Sequence, residues 1–355
     1  MEKIIRKPTR QILLGNVPIG GGAPVSIQSM LNVPTSDIPA ALTQIHALEQ
    51  AGCEIIRFSV MKASDALSIP EFKQETKLPL VADIHFDHKL ALASLEAGID
   101  GLRINPGNIG SREKVEAVVR AAAERGVPIR IGVNSGSLPG DLIARYGVSA
   151  EAMVEAALTH IHILEDLDFH AIKISVKASR LPLMLASYRA LSQRVDYPLH
   201  LGITEAGTLL SGSIKSAMAL GILLNEGIGD TIRVSLTDDP VREVLVAKQI
   251  LQNLGLRRGL DIISCPTCGR TRIDLVRLAK EVEDALRVYA DQPLTIAVMG
   301  CVVNGPGEAR EADFGIAGGD GEGLIFAKGE IVKKVPEKDL VPELLKLVRE
   351  WIEGA

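Results

Sequence analysis

No stretch of this chain is apolar for long enough to cross a membrane. The longest such run, Ala217 to Leu224, falls far short of the roughly 20 residues a spanning helix needs. The opening MEKIIRKPTRQ contains no apolar core of a secretion signal. Cysteine is scarce, with four in 355 residues, which excludes a secreted disulfide framework. An excess of positive charge is also lacking, because 39 basic residues face 44 acidic ones for a net charge of −5. That argues against a general nucleic-acid binder, and any cationic site must be concentrated. These absences predict a cytoplasmic protein with neither membrane nor nucleic acid as partner. What is present is globular: hydrophobic residues make up 46% and charged residues 23%, with 33 Gly and 18 Pro spread along the chain. At roughly 150 residues per domain, the length suits about two domains.

From about residue 25, short β-branched runs alternate with longer amphipathic stretches, the rhythm of βα units. Eight strands are predicted: VSIQS from Val25, EIIRFSV from Glu54, LPLVADIHF from Leu78, GLRIN from Gly101, PIRIGVN from Pro128, AIKISV from Ala171, LHLGITE from Leu199 and TIRVSL from Thr231. Helical patterns run between them, among them Ser111 to Arg125, Ala150 to Leu167 and Pro240 to Leu254. The last is well placed, since Asp239 can cap it and Pro240 occupies its first position. A dinucleotide-binding fingerprint is missing after the first strand, and eight units in about 230 residues match a TIM (β/α)₈ barrel. Ahead of it, RQILLGNVPIGGG reads as a hairpin turning at Gly15-Asn16, a plug for the barrel bottom. After Leu254, GLRRGLD reads as a linker. CPTCGRT then precedes a helix from Ile273 to Tyr289. The strands LTIAVMG, GLIFA and EIVKKV and a helix from Glu337 to Ile352 complete the reading. The expected organisation is a hairpin over 1–24, a barrel over 25–255 and a small α+β domain over 256–355.

Five predicted strands end in one pattern of apolar, basic, apolar, then small or polar. The basic members are Arg57, Arg103, Arg130, Lys173 and Arg233. Alternation puts the basic and the small residue on one face. The flanking apolar residues must pack under the outer helices, so the basic set points into the barrel near the carboxyl ends of the strands. Asp83, His85 and Glu205 fall at similar positions. One such Arg would read as part of a self-paired polar layer. Five cations against two carboxylates leave an excess of about three, and unpaired buried charge costs several kcal/mol each. An anionic ligand is therefore expected. Arginine forks and the Gly-rich turns INPGNIGS and TEAGTLLSGS suit phosphate oxygens, so a diphosphate is the natural ligand.

Cys265, Cys268 and Cys301 form one CxxC and a distant partner. A lone CxxC is compatible with zinc. No histidine follows His200, so the C-terminal domain cannot build a Cys₄ or Cys₃His site from its own residues. Three thiolates plus an oxygen ligand suit a 4Fe–4S cluster, and Glu308 is the candidate for that ligand. The CxxxCxxC spacing of radical clusters is absent. Cys53, after Ala51-Gly52, reads as core packing.

The strand ends RFSV, DIHF, GLRINPGNIG, PIRIGVNSGS and ITEAG, followed by CPTCGR and MGCVVNGPGEA, closely resemble the bacterial two-domain 4-hydroxy-3-methylbut-2-enyl diphosphate synthases of the non-mevalonate isoprenoid pathway. The resemblance covers nearly the whole chain, and GCVVNGPGEA after CPTCGR is its most specific element. The chain has no room for the extra domain that plant and some bacterial members insert. The resemblance implies reductive ring opening of 2-C-methyl-D-erythritol 2,4-cyclodiphosphate, with two electrons delivered by ferredoxin or flavodoxin and water lost. It implies a cluster on Cys265, Cys268, Cys301 and Glu308, with Asn304 facing the substrate. Phosphate ligands would be Arg57, Arg103, Arg130, Lys173, Arg233 and Ser235, with Asp83, Asn134 and Glu205 on the carbon skeleton. Glu205, at a strand's carboxyl end, would supply the proton that leaves with water.

A homodimer with a site shared between chains is also expected. The helix from Pro240 descends to the barrel bottom, and a linker from Gly255 to Ser264 spans at most about 33 to 36 Å, barely enough to climb back to the mouth. A head-to-tail pair would let each cluster domain close over its partner. Two competing readings are a barrel lyase or transferase acting on a phosphorylated or pterin substrate with a structural metal, and a non-catalytic iron–sulfur sensor. Anaerobic purification separates the synthase, a brown iron–sulfur protein, from the lyase or transferase, a colourless zinc protein. The sensor needs no cationic cavity.

Overall fold

The computed structural model describes residues 4–301, 307 and 310–354. The chain divides into two compact units, Met1–Leu256 and Arg257–Ala355.

The first unit opens with a hairpin of β1 (Ile12–Leu14) and β2 (Val17–Ile19), turning at Gly15-Asn16. Eight parallel strands follow: β3 (Ser26–Met30), β4 (Ile55–Ser59), β5 (Leu80–Asp83), β6 (Gly101–Ile104), β7 (Ile129–Asn134), β8 (Ile172–Lys177), β9 (His200–Leu201) and β10 (Thr231–Ile232). Their order is β8-β7-β6-β5-β4-β3-β10-β9, and a parallel bridge from Ile174 to Leu199 joins β8 to β9. The eight strands form a (β/α)₈ barrel. β9 and β10 are shorter than the sequence suggests, although just beyond them the Arg233 N–H still donates to the Leu201 carbonyl at 3.0 Å.

Helices connect the strands for local reasons. Asp239 accepts from the Val241 N–H and starts Pro240–Asn253, and Ser149 caps Ala150–Glu165 through the Ala152 N–H. The outward strand residues, among them Ile56, Phe58, Leu102, Ile104, Ile131 and Ile174, pack with the helices in the main core. The inward residues at the bottom, Ile55 and Val81, join Ile12, Leu14 and Ile19 in a separate cluster. The hairpin therefore plugs the barrel floor, and Gly101 is the residue that admits it, since a Cβ there would sit 2.4 Å from Leu14 Cδ1.

The second unit is a five-stranded sheet in the order β11 (Asp261–Ser264), β12 (Thr295–Met299), β13 (Phe314–Gly318), β14 (Glu322–Ala327) and β15 (Glu330–Pro336). Its first three strands are parallel and the rest antiparallel. Helices Leu275–Leu286 and Leu340–Glu353 bury Leu278, Val282, Leu344 and Val348 with Ile296, Val298 and Ile316 of the sheet. Two of these strands, β11 and β13, are absent from the sequence reading. DIIS looks like the tail of a linker, and FGIAG has too many small residues to announce a strand. Among the described residues, no helix is long and apolar enough to cross a membrane.

Candidate functional site

Strand alternation determines which side chains enter the barrel. The ladder sets Asp83 beside Arg103, Arg103 beside Arg130 and Arg130 beside Lys173, so one inward layer runs around the wall. Above it opens a cavity of about 440 Å³ whose lining includes Arg57, Asp83, Arg103, Arg130, Asn134, Glu205, Arg233 and Ser235. That volume falls within the range of small-molecule sites. All the barrel residues named from the sequence are gathered there except Lys173. Lys173, beside Arg130 in the ladder, lines a small space above the hairpin. Lys177, two alternations further along β8, lines the cavity instead. Its lysine identity and even spacing from Lys173 were the available signal.

The charges pair incompletely. Asp83 holds Arg103 Nη1 at 3.1 Å and Arg57 Nη2 at 3.3 Å. Arg233 lies 3.6 Å from Glu243. Glu243 is buried, reaching in from helix Pro240–Asn253, and accepts from Ser29 Oγ and the Leu236 N–H. It is a functional neighbour that sequence reasoning missed, although an acid beside the apolar stripe of that helix was a signal. Five cavity cations, Arg57, Arg103, Arg130, Lys177 and Arg233, thus face three carboxylates, Asp83, Glu205 and Glu243. Among the described residues, Arg130, Lys173 and Lys177 have no carboxylate in ion-pair contact.

The cost of that excess is visible in proton affinities. Burial would raise the Asp83 carboxyl, but Arg57, Arg103 and Arg130 hold it down at about 2. Burial presses the Arg57 guanidinium down to about 10, partly offset by Asp83. Lys177 is pushed far down by burial and then by Arg130, Arg233, Arg57 and Arg103. An anion in the cavity reverses this pressure.

Small residues make the room. A Cβ on Gly132 would lie 2.7 Å from Arg103 Nε, and one on Gly202 would lie 2.7 Å from Lys177 Nζ. At the rim, Glu205 adopts φ +54, a left-handed conformation that costs a non-glycine residue about 1 kcal/mol. Strain of this kind clusters at functional positions. Asn105 accepts from the Gly107 N–H at 3.1 Å, capping the short turn Pro106–Ile109 beside the cavity.

In the second unit, Cys265 follows β11 and Cys301 lies just beyond β12, its parallel neighbour. Both thiols therefore emerge at the carboxyl ends of adjacent strands. The Gly300 N–H donates to Cys265 Sγ at 3.1 Å. Arg270 donates to Cys268, lowering its thiol, and also feels Cys301. Such donors favour thiolates. Among the described residues, no three His, Cys, Asp or Glu side chains converge on one metal ion. Asn304 and Glu308 lie outside the described residues. Cys53 is buried in the barrel core, with its thiol pushed up to about 11 by burial, and serves packing.

The family description "GcpE TIM-barrel domain" matches residues 9–248, and "GcpE protein C-terminal domain" matches residues 261–350. A protein of Clostridium perfringens named 4-hydroxy-3-methylbut-2-en-1-yl diphosphate synthase (flavodoxin) is 58% identical over 97% of this chain and 99% of its own. One of the same name from Geobacter sulfurreducens is 61% identical over 96% of this chain and 97% of its own. Among solved structures, the dihydropteroate synthase of Yersinia pestis matches at TM-score 0.50 and 14% identity, covering 69% of this chain and 97% of its own. An N-acetylneuraminic acid synthetase from Leptospira borgpetersenii matches at TM-score 0.50 and 16% identity, covering 70% and 90%. These two likenesses concern the barrel fold alone. Matched in both domains and along nearly its whole length, the chain belongs to the GcpE family.

Proposed function

We propose that the chain is a 4-hydroxy-3-methylbut-2-en-1-yl diphosphate synthase that reductively opens a cyclic diphosphate, with flavodoxin or ferredoxin as electron donor. The observation that carries this reading is the uncompensated positive charge of the barrel cavity, which calls for an anion with several phosphate oxygens. The names of the relatives supply the product, and the flavodoxin in those names favours that donor.

In the reaction, the C–O bond to the ring phosphate and that of the neighbouring hydroxyl break. Two electrons enter, a double bond forms and one proton leaves with the hydroxyl as water. Arg57, Arg103, Arg130, Lys177 and Arg233 are placed to hold the diphosphate, with Ser235 and Asn134 as neutral partners. Asp83 keeps two of the arginines oriented through its paired contacts. Glu205 stands at the rim, where it can hold the proton for the departing hydroxyl. A 4Fe–4S cluster on Cys265, Cys268, Cys301 and Glu308, with Asn304 beside the substrate, would supply one-electron transfer and Lewis acidity. The N–H donors at Cys265 and Cys268 support that assignment. The enzyme is read as cytoplasmic, where exposed thiols stay reduced.

Conversion of 2-C-methyl-D-erythritol 2,4-cyclodiphosphate by anaerobically purified protein with a chemical reductant tests the activity. A colourless protein without turnover defeats it. We place the site between two chains of a homodimer. Only Leu254–Leu260 separate the last barrel helix from β11, about 25 Å at full stretch. Mixing Glu205→Gln with Cys301→Ser chains, each inactive alone, should restore activity once subunits exchange. Exchange proven by mass without recovered activity rejects the shared site.

A further inference from the structure

Glu243 is a buried acid that the proposed reaction leaves without a task. It stands in the first turn of helix Pro240–Asn253 and is 4% exposed. Both of its carboxylate oxygens are fixed by the chain around it. One accepts from the Leu236 N–H at 2.9 Å, and the other accepts from Ser29 Oγ of β3 at 3.0 Å. A donor on each oxygen stops the carboxylate from swinging. An uncharged acceptor would serve these two neutral donors as well, and burying a charge that nothing uses is costly.

Arg233 supplies the use. Its Nε lies 3.6 Å from Glu243 Oε2 and is sealed from solvent with no hydrogen-bond partner. Among the described residues, Glu243 is the one carboxylate in ion-pair contact with Arg233. β10 ends at Ile232, so Arg233 and Ser235, which both line the cavity, lie beyond the strand. The residue directly after Ser235 is the one whose N–H Glu243 holds. A single carboxylate thus braces the segment that carries two cavity groups. It also meets the guanidinium on the Nε side, which leaves the terminal nitrogens for other oxygens. Nη1 there meets the Met30 sulfur at 3.6 Å, a weak acceptor that a phosphate oxygen outcompetes.

We propose that Glu243 is the positioning residue of Arg233: it holds the guanidinium by Nε so that the terminal nitrogens, together with Ser235, face the bound diphosphate. This role rests on the reading of the cavity as a diphosphate site.

Glu243→Gln isolates the charge. The amide oxygen can still accept from Leu236, and the amide nitrogen can donate to Ser29 Oγ, whereas Arg233 loses its carboxylate. The sign of the effect separates the roles Glu243 could have. A residue that only offset the positive cavity would, once neutralised, let an anion bind more tightly. A residue that only braced the fold would lower the melting temperature and leave affinity alone. Positioning predicts weaker binding, by about 10-fold, the scale of one charge-assisted hydrogen bond. Titration calorimetry with pyrophosphate on the cluster-loaded protein, without reductant, reads it. In an Arg233→Met background the same substitution should change affinity by less than about twofold, because the two residues act as one unit. Tighter or unchanged binding in Glu243→Gln, or an equal loss in both backgrounds, overturns the proposal. If the variant does not fold, crystals of the wild-type protein with pyrophosphate decide the matter: Arg233 Nε should lie about 3 Å from Glu243 with its terminal nitrogens on the ligand, and a guanidinium turned away from Glu243 overturns it. Wild-type protein that ignores both pyrophosphate and the cyclodiphosphate defeats the diphosphate reading itself, an outcome distinct from binding that Glu243→Gln does not weaken.

Discussion

Gly132→Ala changes one hydrogen into a methyl group, yet it should disable the proposed phosphate site. The residue lies in the extended strand β7, where alanine meets no backbone penalty. The added Cβ would stand 2.7 Å from Arg103 Nε, 2.9 Å from Nη2 and 3.1 Å from Cζ. β7 is anchored by pairing to β6 and β8, so the guanidinium must move, away from its 3.1 Å contact with Asp83 and from the phosphate position. Loss of one charge-assisted hydrogen bond costs about 1.5 to 3 kcal/mol, equivalent to roughly 10- to 150-fold in affinity at about 1.4 kcal/mol per decade. Overpacking would add about 1 to 3 kcal/mol of destabilisation. Titration calorimetry with the cyclodiphosphate or inorganic pyrophosphate reads the first quantity, and thermal melting reads the second. Gly136→Ala is the control, because a Cβ there meets nothing within 4 Å. Its affinity should stay at the wild-type value. Wild-type affinity in Gly132→Ala, with Arg103 still on Asp83 in its crystal structure, would falsify the argument that Gly132 makes room for the binding guanidinium.

Asp83 makes stability fall in acid: its folded pKa lies below the unfolded value, so its contribution is complete above about pH 4 and lost as pH drops toward 2. Asp83→Asn should flatten that acid limb in urea melts between pH 5 and 2, and an unchanged limb refutes the pairing. Glu205→Gly should abolish turnover while raising stability by about 1 kcal/mol through relief of the left-handed conformation, and a lower melting temperature argues against strain there. Gly101→Val should drive Leu14 from the barrel floor and destabilise the first unit by about 1 to 3 kcal/mol. Hydrogen exchange across Ile12–Ile19 should then quicken, and unchanged protection means the hairpin is not held by this contact.

Local pattern was enough to announce the barrel. Strand ends repeating apolar-basic-apolar put Arg57, Arg103, Arg130 and Arg233 on an inward face, because a strand's side chains alternate whatever surrounds it. The turn at Gly15-Asn16 and the hydrophobic residues on either side likewise announced the hairpin. Depth was another matter. Alternation assigns a face but not a layer, so only the stagger of closed strands decided that Lys177 lines the cavity while Lys173 lines the small space above the hairpin. Glu243 entered the site because a helix laid one acid against β3, a contact made across some two hundred residues of chain. Cys265 and Cys301 could be paired by inventory, but the parallel ladder between β11 and β12 set their thiols at neighbouring strand ends. Residue type and spacing are carried by the chain itself, whereas relative depth and the partners that compensate a buried charge exist only once distant segments have packed.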